Sequence, residues 1–132
     1  MRQETIRFPT SQREQIVDIT GMVADAVAAH GDSSLCALYA RGATAAIMIQ
    51  ENCDPNIGSD ILACLGRLAP EGQWLHDSVD DNGAAHIKAG IVGPSETIPV
   101  KDGKLLLSRW QNIFFCEFDG PRREREVVVT LL

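Results

Sequence analysis

Residues 96–132, ETIPVKDGKLLLSRWQNIFFCEFDGPRREREVVVTLL, decide the fold class of this chain. Short apolar runs rich in β-branched and aromatic residues alternate there with turn signals, which is typical of antiparallel strands. Asp102 and Gly103 supply the positive φ angles of a tight turn, so the stretch predicts a hairpin made of 98–100 and 104–110. Two further strands are predicted at 113–118 and 124–132.

Upstream of this stretch, helices are mixed with strands. Apolar residues at helical spacing predict one helix that Thr20 caps and a second that Ser59 caps and Pro70 ends. The helices are predicted at 21–29, at 84–91 and around Ile61, Leu62, Leu65 and Leu68. Strands are predicted at 5–8, 15–19, 34–40 and 43–50, and the acidic segment 77–82 is expected to be irregular.

The order of these elements predicts an α+β fold. Helices gather in the first two-thirds of the chain and strands dominate the last third, whereas an alternating β-α-β pattern is missing. The length of 132 residues fits one compact unit, and no Gly/Ser/Pro-rich linker or internal repeat divides it. We therefore predict a single domain over residues 1–132.

Composition excludes several classes of function. With 12 Lys and Arg against 18 Asp and Glu, the net charge of −6 disfavours a broad electrostatic grip on nucleic acid or anionic lipid. No apolar run approaches the roughly 18–20 residues of a membrane span. The charged first residues lack a signal-peptide pattern, so a cytoplasmic location is expected. The four cysteines form no CxxC pair and are expected to be buried, reduced and structural.

The densest polar stretch, residues 76–86, holds two histidines and several carboxylates. His76 and His86 flank Asp81 and Asn82 in an irregular, glycine-containing segment. Imidazoles exchange protons near neutral pH and bind metals, while carboxylates hold Mg²⁺ or orient the rings. The pattern therefore predicts that these four residues line one pocket. An acidic surface loop with two incidental histidines is the other interpretation.

A second candidate region surrounds the Gly120-Pro121 turn. Arg122, Arg123 and Arg125 concentrate a quarter of all positive charges of an acidic chain within four positions. Arginine presents a planar fork of donors to phosphate, so Arg122 is a candidate anion contact. A solvated basic turn before a strand explains the same residues. Glu117 precedes this turn and adds a carboxylate.

Two more positions complete the candidate set. Glu51 follows a predicted strand, where a carboxylate can face a cleft. Trp110, next to Gln111, is either a packing residue or a stacking wall for a ligand, and the sequence leaves both interpretations open.

Several short motifs occur together in a characteristic order over nearly the whole chain. They are Thr44-Ala45-Ala46, Gln50-Glu51-Asn52 with Asp54-Pro55, Asp81-Asn82 with Ala85-His86-Ile87-Lys88, Gly93 with Ser95, Ile98-Pro99-Val100 with Gly103, Trp110-Gln111-Asn112-Ile113, and Glu117 through Arg122. Each motif is weak alone, but the ordered set resembles the YjbQ family, also known as UPF0047.

The resemblance implies a compact domain with a bent, sandwich-like, mainly antiparallel β-sheet and a few short helices, assembled as a homotrimer. It also implies a site near subunit boundaries. The activity implied is that of a thiamine-phosphate synthase, regarded as secondary in the family. That reaction joins a hydroxymethylpyrimidine diphosphate to a thiazole phosphate and releases pyrophosphate. The expected partner is therefore a small phosphorylated metabolite, and the alternative is a non-catalytic trimeric module that binds a small ligand or a metal.

Combining the residues with the resemblance assigns expected roles. The catalytic candidates are His76, His86, Asp81 and Glu117. The substrate-binding candidates are Asn82, Glu51, Trp110, Gln111 and Arg122. A divalent metal, Mg²⁺ or Zn²⁺, is expected to use His76 and His86 as ligands.

One departure from the family pattern concerns residue 42. Many members carry a His-Thr-Thr run ahead of Ala-Ala, whereas this chain has Gly42-Ala43-Thr44 at those positions. The imidazole expected there is missing, so only His76 and His86 remain to build an imidazole site.

Overall fold

The computed structural model describes residues 1–132 and contains eight strands and four helices. They are β1 (Arg2–Thr10), β2 (Gln15–Asp18), α1 (Thr20–Ala28), β3 (Leu35–Arg41), β4 (Ala45–Gln50), α2 (Asn56–Leu68), α3 (Asp77–Asp80), α4 (Gly83–Val92), β5 (Ser95–Lys101), β6 (Lys104–Leu105), β7 (Asn112–Glu117) and β8 (Arg122–Leu131). The predicted α+β class is confirmed. None of the helices has the length and apolar character needed to cross a bilayer.

The strands form two antiparallel sheets. A five-stranded sheet has the order β1-β8-β3-β5-β6, and a three-stranded sheet has the order β2-β7-β4. Every paired strand runs antiparallel to its neighbour. This agrees with the sandwich-like, mainly antiparallel arrangement expected from the family pattern.

Strand β7 lies at the centre of the small sheet, and both of its faces are buried. Ile113 and Phe115 belong to the main core, which residues of both sheets and α1 share. Phe114, Cys116 and Phe118 belong to a second core, which α2 and α4 cover. Because side chains alternate between the faces of a strand, a strand buried on both sides is apolar throughout. The unbroken apolar run in this part of the sequence has this cause.

The predicted hairpin is present, but its second strand is shorter than expected. The strand ends at Leu105 and a last backbone bond runs from the Leu106 N–H to the Pro99 carbonyl at 2.9 Å, so the strand predicted at 104–110 is wrong beyond that bond. The chain leaves the sheet there and turns, with the Ser108 N–H donating to the Gln111 side-chain oxygen at 2.9 Å. This local side-chain bond competes with the backbone pairing of a strand.

The predicted helix starts are also wrong in detail. Thr20 is the first residue of α1, and no side chain caps that helix. Its hydroxyl instead donates to Asp18 and accepts the N–H of Ile113, which ties α1 to β7. Helix α2 begins at Asn56, before the Ser59 that was predicted to cap it. The acidic segment expected to be irregular contains the short helix α3.

All four cysteines are free, and two are buried while two are exposed. Cys36 and Cys116 are buried as predicted, whereas Cys53 and Cys64 are exposed, so the prediction is wrong for the latter two. Cys53 lies in the turn before α2, and Cys64 lies on that helix, which buries only Leu65 completely. Burial raises the pKa of Cys36 to about 11 and that of Cys116 to about 12.

This division predicts the reactivity of the native protein. The thiolate is the nucleophile, so a buried thiol with a raised pKa reacts slowly. We expect a thiol reagent at pH 8 to label Cys53 and Cys64 in the native state and all four cysteines after denaturation. The C53S/C64S double variant is the control, since it should show no rapid native labelling. Rapid labelling of Cys116 in the folded protein would contradict the assignment.

Candidate functional site

The two histidines of the polar stretch are in contact. The rings of His76 and His86 lie with their centroids 4.7 Å apart and their planes at 85°, an edge-to-face arrangement. His76 immediately precedes α3, and its Nε2 lies 3.8 Å from the Asp80 carboxylate. His86 lies in the first turn of α4, where its N–H donates to the Asn82 carbonyl. The segment thus brings both imidazoles to one place.

Asp77 holds α3 and α4 in the orientation that brings these rings together. One carboxylate oxygen accepts the N–H of Gly83 at 2.8 Å, and the other accepts the N–H of Trp74 at 3.1 Å. A β-carbon at Gly83 would stand 2.6 Å from the Trp74 β-carbon, so only glycine allows this approach. The start of α4 is therefore locked against the chain that precedes α3.

Asn82 and Arg122 meet at a third residue, Asp119. The Asn82 amide donates to the Asp119 carboxylate at 2.9 Å, and the Arg122 guanidinium donates to the same oxygen at 3.1 Å. Arg122 also donates to the Asp119 carbonyl at 2.9 Å. The side-chain oxygen of Asn82, Oδ1, is buried without a partner. Asp81 is exposed, has a left-handed backbone with φ of 54°, and offers its carbonyl to Arg13.

Glu117 lies inside the protein and forms an ion pair with Arg125. Two guanidinium nitrogens donate to its carboxylate, as do the Thr10 hydroxyl at 2.7 Å and the Asp119 N–H at 3.1 Å. Burial alone would raise the pKa of Glu117. The hydrogen bonds from Arg125, Thr10 and Asp119, together with the Arg125 charge, outweigh burial and hold the pKa below its usual range. The carboxylate predicted to be catalytic is therefore ionised and enclosed.

His86 also borders a small cleft beside the connection between β3 and β4. The cleft has a volume of about 180 Å³ and a lining of small residues around one imidazole. Its lining residues are Gly42, Ala43, Ala45, His86, Ala89, Gly90 and Pro94. A β-carbon at Gly42 would lie 2.9 Å from Nη1 of Arg125. The guanidinium therefore crowds the direction in which a side chain at residue 42, such as the imidazole expected from the family pattern, would extend.

Three predicted site residues lie elsewhere on this chain. Strands β4 and β7 pair so that Ala45 lies opposite Glu117, whereas Glu51 and Gln111 lie just beyond the other ends of these strands. Six residues of strand separate Ala45 from Glu51, a span of about 20 Å. Trp110, 52% exposed, lies beside Gln111. Within one chain, these residues form a second group away from the histidines.

Sequence reasoning missed two buried cations. Lys88 is 1% exposed and donates to both carboxylate oxygens of Glu14, at 3.2 and 3.3 Å. The sequence pattern that could have revealed the burial of Lys88 is its position three residues after Ala85, on the buried face of α4. Arg125 is 5% exposed and shares the alternation of the buried residues Val127 and Val129. Reading β8 at a period of two from its apolar end would have placed Arg125 inside.

The donor set fits a divalent metal poorly. No group of three or more His, Cys, Asp or Glu side chains in this chain is arranged to hold one ion. A structural zinc site has four ligands and a catalytic one has three plus water, so His76 and His86 alone are insufficient. A metal on these two rings would need its other ligands from substrate or another chain.

Comparison with known proteins gives a consistent result. The family model described as "UPF0047 protein YjbQ-like" matches residues 4–132. A UPF0047 protein of Methanocaldococcus jannaschii is 44% identical over 96% of this chain and 91% of its own. A YbjQ-like protein of unknown function from Sulfolobus solfataricus has a similar crystal structure, with TM-score 0.94, 34% identity and coverage of 98% and 95%. A hypothetical protein from Aeropyrum pernix also reaches TM-score 0.94, with 37% identity and coverage of 100% and 98%.

The buried ion pair predicts a pH-dependent contribution to stability. Because the pKa of Glu117 is lower in the folded state, its contribution is complete above about pH 4.3 and is lost as the pH falls through the folded-state value. Glu117→Gln leaves Arg125 buried without its counter-charge, so we expect a loss of about 3–5 kcal/mol at pH 7. Urea unfolding should show this difference shrinking in acid. Glu124→Gln, at an exposed position, should have little effect at either pH.

Proposed function

The chain belongs to the YjbQ-like UPF0047 family, and on that premise we propose that it is an enzyme acting on small phosphorylated metabolites. The active site in this proposal is the His86 cleft together with His76. The reaction is the thiamine-phosphate synthase reaction, in secondary or weak form. A cytoplasmic location is part of the same proposal, and four cysteines without a disulfide support a reducing compartment.

The observation that carries this proposal is the contact between His76 and His86. Imidazole is the side chain best suited to proton exchange near neutral pH. His76 keeps 43% of its side chain exposed, and His86 borders a cleft, so both can be reached from solvent. The ring contact and the Asp77 bonds that orient α4 would hold His86 in one position for a bound substrate.

The proposed reaction needs stabilisation of a leaving group. A carbon–oxygen bond to pyrophosphate breaks, the pyrimidine methylene carbon bonds to the thiazole nitrogen, and the electron pair leaves with pyrophosphate. Arg122 supports this step as a cation at the exposed β7–β8 turn, although two of its nitrogens already donate to Asp119. Asn82, bonded to the same aspartate, links that turn to the start of α4. Asp81, directly before Asn82 in the sequence, adds an exposed carboxylate.

We place the second group of candidate residues in the same proposal through assembly. Glu51, Trp110 and Gln111 would meet the histidine site of a neighbouring chain in a homotrimer. Exposed apolar side chains support an assembly of this kind, because large exposed patches often mark interfaces. Leu75 is 97% exposed and Val79, one helical turn later, is 72% exposed.

A non-catalytic trimeric binding module is the second candidate function. The enclosure of Glu117 favours it, since a carboxylate whose oxygens already accept four hydrogen bonds is not available to a substrate. Ligand-induced stabilisation without turnover would identify this function.

Replacement of His86 tests the catalytic proposal. Formation of thiamine phosphate from the pyrimidine diphosphate and the thiazole phosphate should fall about a hundredfold in His86→Asn, the usual scale for losing an acid–base group. His76→Asn should cause a smaller loss. The matched control is His30→Asn, because the third histidine contacts Arg2 on another surface. Equal rates in all three variants, or no product from the wild type, would contradict catalysis at this site.

Solution mass tests the assembly. We expect light scattering at micromolar concentration to give about three times the 14.4 kDa of one chain. Burial of exposed apolar side chains between chains is the physical reason. A monomer mass would contradict the trimer and would leave Glu51, Trp110 and Gln111 outside the histidine site.

A further inference from the structure

We propose that Arg125 forms an oxyanion subsite, reached past Gly42, for a phosphate group of a ligand in the His86 cleft. The inference rests on the proposed function in taking the ligand to be phosphorylated. It goes beyond the sequence-based expectation, which took the exposed Arg122 as the anion contact, by adding the buried Arg125 as a second one.

The Arg125 guanidinium has one nitrogen that bonds to nothing in the chain. Nε donates to Glu117, and Nη2 donates to Glu117 and to Thr44. Nη1 has no acceptor in the chain. The one buried side-chain N or O atom without a partner is Oδ1 of Asn82, so Nη1 retains some contact with solvent although Arg125 is only 5% exposed. The guanidinium is thus held by two nitrogens and keeps a third free.

Gly42 lies between this nitrogen and the His86 cleft in the proposed subsite. Its missing β-carbon would stand 2.9 Å from Nη1, so the free nitrogen lies against the bare face of this glycine. Gly42 is also part of the cleft lining that contains His86. Arg125 itself does not line the cleft, so the subsite requires the missing side chain at residue 42 to leave a path between the guanidinium and the cleft. Gly42 has φ of 152°, a conformation that other residues rarely adopt.

The His86 cleft carries no negative charge that would repel an anion. No carboxylate is among its lining residues, which are small and apolar apart from His86. By contrast, the cleft beside Arg13 is lined by Glu14, Glu71 and Asp81, which repel an anion. A guanidinium already fixed by its neighbours loses little freedom when it donates to an oxyanion. The His86 cleft is therefore the better suited of the two for a phosphate group.

Glu117 sets the character of the subsite. Its carboxylate balances the Arg125 charge, so the subsite would act through directed N–H donors and not through net positive charge. A phosphate oxygen with free lone pairs suits such donors. Binding should therefore depend on access to Nη1.

Calorimetric titration of the full-length protein with inorganic phosphate tests this inference. We expect one phosphate per chain, and Gly42→Ala, whose methyl group would cover Nη1, should weaken binding by about tenfold or more. Gly72→Ala is the matched control for backbone strain, because Gly72 has φ of 77° and no atom near its absent β-carbon. Its phosphate affinity should stay within about twofold of the wild type. Thermal unfolding of both variants establishes that they are folded.

A second measurement avoids dependence on one variant. In ¹⁵N NMR of the wild type, phosphate should shift the guanidinium signals of Arg125, and Arg123→Ala, at an exposed arginine outside the proposed site, should leave phosphate affinity unchanged. Loss of binding in Arg123→Ala, an equal loss in Gly72→Ala and Gly42→Ala, or no binding of phosphate by the wild type would overturn the inference.

The outcomes also separate this inference from the proposed function. Phosphate binding that depends on Gly42, without thiamine-phosphate formation, would support the subsite and contradict the activity. Turnover that depends on His86 but is the same in Gly42→Ala would support the activity and overturn the subsite.

Discussion

The ion pair of Glu117 and Arg125 is the interaction on which the rest of the structure depends. Removing two charges from water is costly, and such a pair is tolerated only when the donors and acceptors that are shut off from water are bonded. The Thr10 hydroxyl and the Asp119 N–H complete the carboxylate, and Thr44 accepts from the guanidinium. These partners come from the ends of both sheets and from the β3–β4 connection. One buried charge pair therefore fixes how the two sheets meet.

The same network positions the candidate site. Asp119, whose N–H bonds Glu117, accepts the Asn82 amide directly before α4, and α4 carries His86. The backbone of His86 is thus connected through Asn82 and Asp119 to the buried pair. Lys88, bonded to Glu14, anchors a second point of the helix. Small residues at Ala85 and Ala89 let α4 approach the small sheet closely, so the histidine is held by a rigid element.

Local sequence signals predicted most of the elements and singled out the stretch whose two histidines lie in contact, while long-range pairings escaped them. The apolar run at β7 and the spacing in α4 are local, and both elements formed near the predicted positions. Thr20 looked like a helix cap because the sequence does not show that folding brings the Ile113 N–H to its hydroxyl. Cys64 looked buried beside apolar neighbours, but α2 turns it outward. Glu117 and Arg125 are eight residues apart on either side of a turn. No local pattern distinguishes their buried ion pair from an exposed one.

The three arginines after the β7–β8 turn illustrate this limit in the candidate site. Arg122 and Arg123 are exposed, while Arg125 falls on the inward face together with Val127. A charge on that face must be neutralised within the protein, which Glu117 accomplishes with Nε and Nη2. A planar group with three nitrogens can satisfy this structural demand and still present an edge elsewhere. A buried ion pair can thus also supply a fixed donor to a ligand. The residue that decides whether that donor is reachable is Gly42, whose missing β-carbon would stand against Nη1.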